Sequence, residues 1–585
     1  GDVYKRQDKT RALQPGESQT LCFEIPLESV ASYDDSGVTG HKSAWILEQG
    51  GYVFYAGADV RSASEAYSLT LPETVVRQCK SALGPLTAFK RMVNSSGKPE
   101  FEDVPLTGEA FPHDHAKLPA EIPQIGDRGI RLADVVNGKN TLEEFTAQLT
   151  DYDLSCIIRG EGMGSPKVTA GTAAAFGGVS DTLTALGIPC ACCDDGPSGM
   201  RLDCGTKAFS LPNGTLLAST FDRPLMTELF TFMGLEMHTN QVDCLLGPGM
   251  NIHRHPLNGR NFEYFSEDPY LTGEMASAEL AGLHSTGAEG TIKHFCGNNR
   301  ETRRHFLDSV ISERALREIY LRGFEKAVKK GGAKSVMTTY GQVNGVWTAG
   351  NYGLVTGILR DDWGFDGFTM TDWWANINRR GKAPDKSDFA AMAMAQNDVY
   401  MVTADGAACN DNTLDSLKSG ELTRGELQRN AMNILRFLMT THAMKRVMGC
   451  DDETEIINRP ADAGDVDSTD IEFHDIDEDL TLDLAGITTE KGSSYAFGLN
   501  VSKPGVYKVT LTASSTLSEL AQTSVSIFAL GSPCGTFTFN GTGGAPVSQT
   551  KDVKFLSNFM PIRLYFGGSG LKTQSIRFEL KERWT

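Results

Sequence analysis

Short apolar runs alternate with helix-length amphipathic segments from residue 125 to 447, and no other feature constrains this chain as strongly. The runs are LSCII (154–158), IPCACC (188–193), VDCLL (242–246), GTIK (290–293), SVMTT (335–339), GFTMT (367–371) and DVYMV (398–402). Between them lie segments such as SERALREIYLRGFEKAVKK, where Leu316, Ile319, Tyr320, Phe324, Ala327 and Val328 fall on one helical stripe. Thr423 and Glu426 form a capping box that opens another long helix. Alternation of this kind predicts a parallel sheet, because parallel neighbours must be joined by crossovers, usually helices. Seven runs, with room for an eighth, predict a closed (β/α)8 TIM-type barrel over 125–447 rather than an open sheet.

The flanks have a different texture. Within 1–110, TLCFEIPL (20–27), AWILEQ (44–49), GYVFYAG (51–57) and AYSLTL (66–71) read as strands. Four strands are too few for a closed sandwich, and the opening GDVYKRQ fits none of them. A Pro-rich linker is expected over 111–124, and an acidic linker over 448–471. From 472 to 585, runs such as GVYKVTLTA, TSVSIFAL and IRLYFGG alternate with period two, which predicts a complete antiparallel β-sandwich.

Composition removes several function classes. A net charge of −19 argues against nucleic acid, whose binding rests on Lys and Arg neutralising phosphates. No apolar run approaches the roughly 18 residues needed to span a bilayer, so a membrane role is not expected. Of the twelve cysteines, only Cys190 and Cys193 have C-x-x-C spacing, inside the apolar segment IPCACC. Cys190, Cys192 and Cys193 read as small apolar residues of a buried strand rather than as a metal site. Cysteine usage tilts the compartment towards a reducing, cytoplasmic one.

Catalytic groups of such a barrel project from the C-terminal ends of its strands. IPCACC is followed by Asp194, Asp195 and Gly196-Pro197; VDCLL leads to Arg254, Arg260 and Glu263; GTIK ends in Lys293-His294; SVMTT gives Tyr340; GFTMT gives Asp372, Trp373 and Trp374. One Asp after a strand is as readily a helix cap as a catalyst. Five polar clusters in register on successive strands describe a sugar site, in which charged groups bind hydroxyls and aromatic faces cover the ring.

The blocks DGPSGMR (195–201), GRNFEYFSEDP (259–269), KHFCGNNRET (293–302), MTTYGQVNG (337–345) and MTDWWA (370–375) resemble, in order, the signature blocks of glycoside hydrolase family 3. LQPGESQTL and GGYVFYAG within 12–71 resemble the last strands of that family's fibronectin-type-III-like domain, here placed before the barrel as in inverted-order members. The resemblance implies a retaining, exo-acting β-glycosidase that cleaves β-glucosides, with β-xylosides or arabinosides as variants. It implies Asp372 as nucleophile, with neighbouring cations keeping its pKa low. Asp195, Arg260, Lys293 and His294 would bind hydroxyls, Tyr340 would stand beside the nucleophile, and Trp373 would wall the subsite. Glu263 and Glu301 are expected to pair with arginines such as Arg300, Arg303 or Arg304. His305 does not fit the Asp-His loop of the N-acetylglucosaminidase branch. No metal or organic cofactor is required.

In this family the general acid usually comes from a separate α/β domain. The expectation is that the chain begins inside the fibronectin-like domain, lacks that acid, and is a truncated piece, with Glu161 the best internal substitute. The second reading is thus a catalytically impaired carbohydrate-binding fragment. The open edge of the half-sandwich predicts self-association as a homo-oligomer, and 472–585 is expected to be an accessory module that either binds sugar or simply packs on the barrel, with Ala545-Pro546 standing where sugar-binding modules place an aromatic.

Overall fold

The computed structural model describes residues 6–94, 97–106, 118–163, 165–204, 206–378, 382–454, 471–530 and 532–583. Much of both predicted linkers, 111–117 and 455–470, lies outside these residues.

Eight strands form the central sheet: β1 (Arg159–Gly162), β2 (Ala174–Gly177), β3 (Cys190–Asp195), β4 (Cys244–Leu246), β5 (Glu289–Phe295), β6 (Ser335–Thr338), β7 (Phe368–Met370) and β8 (Tyr400–Thr403). They pair in sequence order, with β8 beside β1, and a parallel bridge from Met370 to Val399 brings β7 and β8 together. The sheet is therefore a nearly closed, barrel-like one. Two expectations are corrected. LSCII belongs mainly to a helix, α1 (Asp151–Ile157), and the strand follows it. Thr150 caps that helix reciprocally with Asp153, a local signal that outweighs the strand-like apolar run.

Second, the sheet is not wholly parallel, since β2 runs antiparallel to both β1 and β3. Its link from β1 explains the reversal: the described residues of 163–173 contain no helix to carry the chain back across the sheet.

Helices cover the sheet, among them α2 (Arg223–Thr239), α3 (Pro269–His284) and α4 (Arg424–Leu438), the last opened by the predicted Thr423–Glu426 capping box. The stripe predicted over 316–328 is interrupted. Leu316–Tyr320 winds as a π-helix, and this change of phase leaves Ile319 39% exposed while Leu321 is buried in its place.

Before the barrel, strands Ser32–Asp34, Ala44–Leu47 and Thr74–Gln78 form one sheet; Gly50–Ala56 pairs with Ser64–Leu71, and Lys90–Asn94 with Pro99–Asp103. TLCFEIPL is not a strand, and Pro26, which has no N–H for a ladder, precedes the 3-10 turn Leu27–Val30. This region packs on the helical segment 313–329: Tyr33 donates to Glu313 Oε1 (3.2 Å) and stacks under Arg317, while Arg77 pairs with Glu325 (3.2 Å).

After the barrel come a five-stranded and a four-stranded sheet that share one core, including Phe497, Val509, Ile562 and Phe578. The pairing departs from the expected fully antiparallel pattern in one place, where Phe473–Ile476 runs parallel to Ser494–Val501. Ser524 and Ser526 donate to the Asp203 carbonyl (3.4 and 3.3 Å), and Lys551 feels Glu161, so these sheets sit against the end of β1 and the loop that follows β3. No helix among the described residues is long and apolar enough to cross a membrane.

Candidate active site

Strand β3 delivers two successive carboxyls to opposite faces, as the period of a strand requires. Asp194 is fully buried with no hydrogen bond to either oxygen among the described residues, and burial, then the charge of Asp195, pushes its carboxyl far above the usual range. Asp195 reaches the rim. The chain then turns at Gly196, where φ is +126° and a Cβ would stand 1.9 Å from the Gly199 carbonyl, so only glycine fits. Lys293 Nζ donates to Asp195 Oδ1 at 2.8 Å. Crowding by protein raises the Asp195 pKa, but Lys293, then Arg260 and Arg201, outweigh it and hold the group at about 2.

Strand β5 supplies Lys293 and His294 together. Consecutive strand residues normally face apart, yet both of these side chains reach the cleft. Lys293 goes to Asp195; His294 Nε2 lies 3.8 Å from Asp372 Oδ2. Asn251 clamps the His294 backbone, accepting from its N–H and donating to its carbonyl, both at 2.9 Å. Asn298 donates to the Tyr264 hydroxyl (3.0 Å), which lies 3.2 Å from His294 Nδ1. With the hydroxyl donating to Nδ1, the ring carries its proton on Nε2, aimed at the cleft. Burial, then Arg260 and Lys293, lowers the His294 pKa strongly and keeps the ring neutral.

Arg260 is ion-paired through Nε to Glu263, and Arg304 to Glu301 at 2.7 Å. Glu263 thus pairs with an arginine, but with Arg260 and not with Arg300, Arg303 or Arg304 as expected. Tyr340 is buried between the Arg304 guanidinium (4.7 Å) and the His305 ring (4.1 Å). Its hydroxyl is pushed up by burial and by the neighbouring Asp372.

Asp372 follows β7 and is 6% exposed. Its Oδ1 accepts the Trp373 N–H at 2.8 Å, while Oδ2 has no hydrogen bond among the described residues. Burial raises its pKa, and Arg260, the Trp373 amide, Arg304 and Lys293 offset this only in part. The expectation that nearby cations keep this carboxyl low is therefore corrected: none of them touches it, and desolvation wins. Trp373 is buried in the barrel core together with Tyr340 and Ala375.

Asp195, Arg260, Lys293, His294, Tyr340 and Asp372 are thus joined in one network, while Arg254 is exposed and Glu161 is engaged elsewhere. Glu161 accepts from Gly406 N–H (2.8 Å) and from the Ser165 hydroxyl. Tyr264, Asn251 and Asn298 were not singled out from sequence, and Arg304 was named only as a partner for Glu263 or Glu301; Tyr264 and Asn298 lie inside the quoted blocks, where their position was the available signal. The thiols of Cys190, Cys192 and Cys193 turn to separate partners, Gly178 O, Thr169 and Ala174 O. Among the described residues, one grouping has the composition of a metal site, namely His238, His442 and Asp451. There both histidines hydrogen-bond the Asp451 carboxylate (3.1 and 2.6 Å) and Arg446 stands 3.8 Å from it, an ion-paired knot outside the cleft.

The cleft therefore offers a buried carboxyl with one uncommitted oxygen, a neutral imidazole donor beside it, and an anion–cation pair on the opposite wall. The profile described as "Glycosyl hydrolase family 3 N terminal domain" matches residues 124–437. The chain is 59% identical to a beta-glucosidase of Ruminococcus albus, over 99% of this chain and 62% of that protein. It is 35% identical to beta-glucosidase A of Butyrivibrio fibrisolvens, over 75% and 53%. Among solved structures it resembles a beta-glucosidase from Paenibacillus barengoltzii, with a TM-score of 0.75 and 44% identity, covering 97% of this chain and 63% of that one. The chain spans less than two thirds of the length of these relatives. A profile that covers more than half of the residues, over the very segment that builds the cleft, places this chain in glycosyl hydrolase family 3.

Proposed function

We propose that the cleft hydrolyses β-glucosides with retention of configuration, through a glycosyl–enzyme ester on Asp372. The observation that carries this reading is the free Oδ2 of Asp372, buried at the centre of the network and 3.8 Å from His294. An oxygen without a donor keeps its lone pair for the anomeric carbon, and the raised pKa makes it more basic than an exposed aspartate. His294, as a neutral Nε2–H donor, and Lys293 with Asp195 hold ring hydroxyls, and contacts that tighten as the ring flattens lower the barrier. Arg260 supplies long-range charge that limits how far Asp372 is driven towards protonation. The beta-glucosidase names of the relatives support glucose as the sugar.

The test is a 2-deoxy-2-fluoro aryl β-glucoside, whose ester hydrolyses slowly. The sugar should be found on the Asp372 peptide, and label on another carboxylate alone would refute the assignment. Aryl β-glucoside, β-xyloside and α-arabinoside compared side by side should show the glucoside turned over fastest.

A further inference from the structure

Away from the cleft, Cys156 on α1 and Cys409, in the segment after β8, bring their sulfurs to 3.7 Å. Cys156 is fully buried and Cys409 is partly exposed. Two further donors converge on Cys409 Sγ: Arg159 Nη1 at 3.2 Å and the Ser155 hydroxyl at 3.3 Å. Asp411 holds the guanidinium in place, accepting from Arg159 Nε at 2.7 Å. A sulfur ringed by a guanidinium, a hydroxyl and a thiol sits in a cradle for an anion, the setting in which cysteines become nucleophilic. The other thiol stands behind it, shielded from solvent.

We infer that Cys409 and Cys156 form a reversible dithiol–disulfide site, with Cys409 the attacking thiolate and Cys156 the resolving thiol. The oxidant class is a low-molecular-weight disulfide. Cys409 Sγ attacks one of its sulfurs, forming a mixed disulfide and expelling one thiol, which takes up the proton Cys409 gave up. Cys156 then loses its proton and attacks Cys409 Sγ, forming the Cys156–Cys409 bond and expelling the second thiol, which receives that proton. Two protein thiols are oxidised by two electrons and the small disulfide is reduced to two thiols. Closing the sulfurs from 3.7 Å to a bond of about 2.05 Å needs only a small shift of the partly exposed segment. The Cys156 thiol, followed by Ser155 and Arg159, lowers the Cys409 pKa against burial, while Cys156 is raised, which agrees with that order of attack.

The experiment incubates the folded chain with oxidised glutathione and maps unreduced peptides by mass spectrometry. The expected product is a Cys156–Cys409 crosslink. In C156S the first step should stall, leaving glutathione on Cys409, and in C409S neither product should form at these positions. Glutathione found only on the exposed Cys22 and Cys450, or persisting on Cys409 in the wild type as in C156S, would overturn the proposal. A second measurement needs no variant: iodoacetamide at mildly acidic pH should alkylate Cys409 about tenfold faster than Cys22, and equal rates would overturn the assignment of the attacking thiol.

Discussion

Two carboxylates on opposite walls of the cleft have opposite fates. Asp195, at the end of β3, touches a buried ammonium at 2.8 Å and is held at about 2. Asp372, at the end of β7, has the same cations within electrostatic reach but none in contact, and its pKa rises. The lesson is one of distance. A cation in hydrogen-bond contact overcomes desolvation, whereas one held back by other partners, as Arg260 is by Glu263, moderates it without reversing it. One wall is thereby a permanent anion suited to binding hydroxyls, and the other a basic oxygen suited to attack.

Replacing Asp372 breaks this contrast most severely. D372N is expected to lower kcat by on the order of 10^4-fold or more, the scale on which covalent machinery fails. Because folding raises the Asp372 pKa, its ionised form opposes the fold, and the group contributes stability as pH falls through that pKa. D372N should therefore raise the midpoint of thermal unfolding at neutral pH by about 1–2 °C, the scale of ~1 kcal/mol in a domain of this size. In the wild type, the acid limb of kcat/KM should lie above the ordinary aspartate range.

K293M attacks the other wall. Removing one partner of a fully buried pair costs about 3–5 kcal/mol. Here Asp195 retains 43% side-chain exposure, so we expect about 1–3 kcal/mol, seen as a raised KM and a lower unfolding midpoint. The pH signature has the opposite sign to that of Asp372. Asp195 is depressed on folding, so its contribution is present above the ordinary value of 3.8 and is lost as pH falls towards about 2. Calorimetry should show that acid loss in the wild type and not in K293M.

Tyr264 sharpens the comparison from the side. Y264F removes the hydrogen bond at His294 Nδ1, and a loss of about 0.5–1.5 kcal/mol corresponds to roughly 2- to 12-fold in kcat/KM. The smallest effect is expected at Glu161, whose oxygens accept from Gly406 and Ser165. E161Q should cost about 1 kcal/mol of stability and leave the pH–rate profile in place; a lost basic limb would instead identify Glu161 as the general acid.

Much of the cleft was legible in one dimension. Residues that end apolar strands face one rim in this kind of sheet, so Asp195, Lys293, His294, Tyr340 and Asp372 could be named before any coordinates. The local period failed where tertiary packing reset it: the π-helix at Leu316–Tyr320 turned Ile319 outward, and a link without a described helix reversed β2. LSCII was ambiguous in principle, because five apolar residues suit a buried helix and a buried strand alike.

By itself, then, the sequence determined which side chains carry charge, where strands end, and hence which groups line the cleft, since these follow from local periodicity and covalent order. Only the tertiary structure decided which carboxylate is acidic and which is basic. That difference rests on contacts between residues nearly a hundred positions apart, Asp195 with Lys293, and on the absence of such a contact at Asp372 among the described residues. Electrostatic energy depends on separations of a few ångströms and on exclusion of water, and neither is encoded in spacing along the chain.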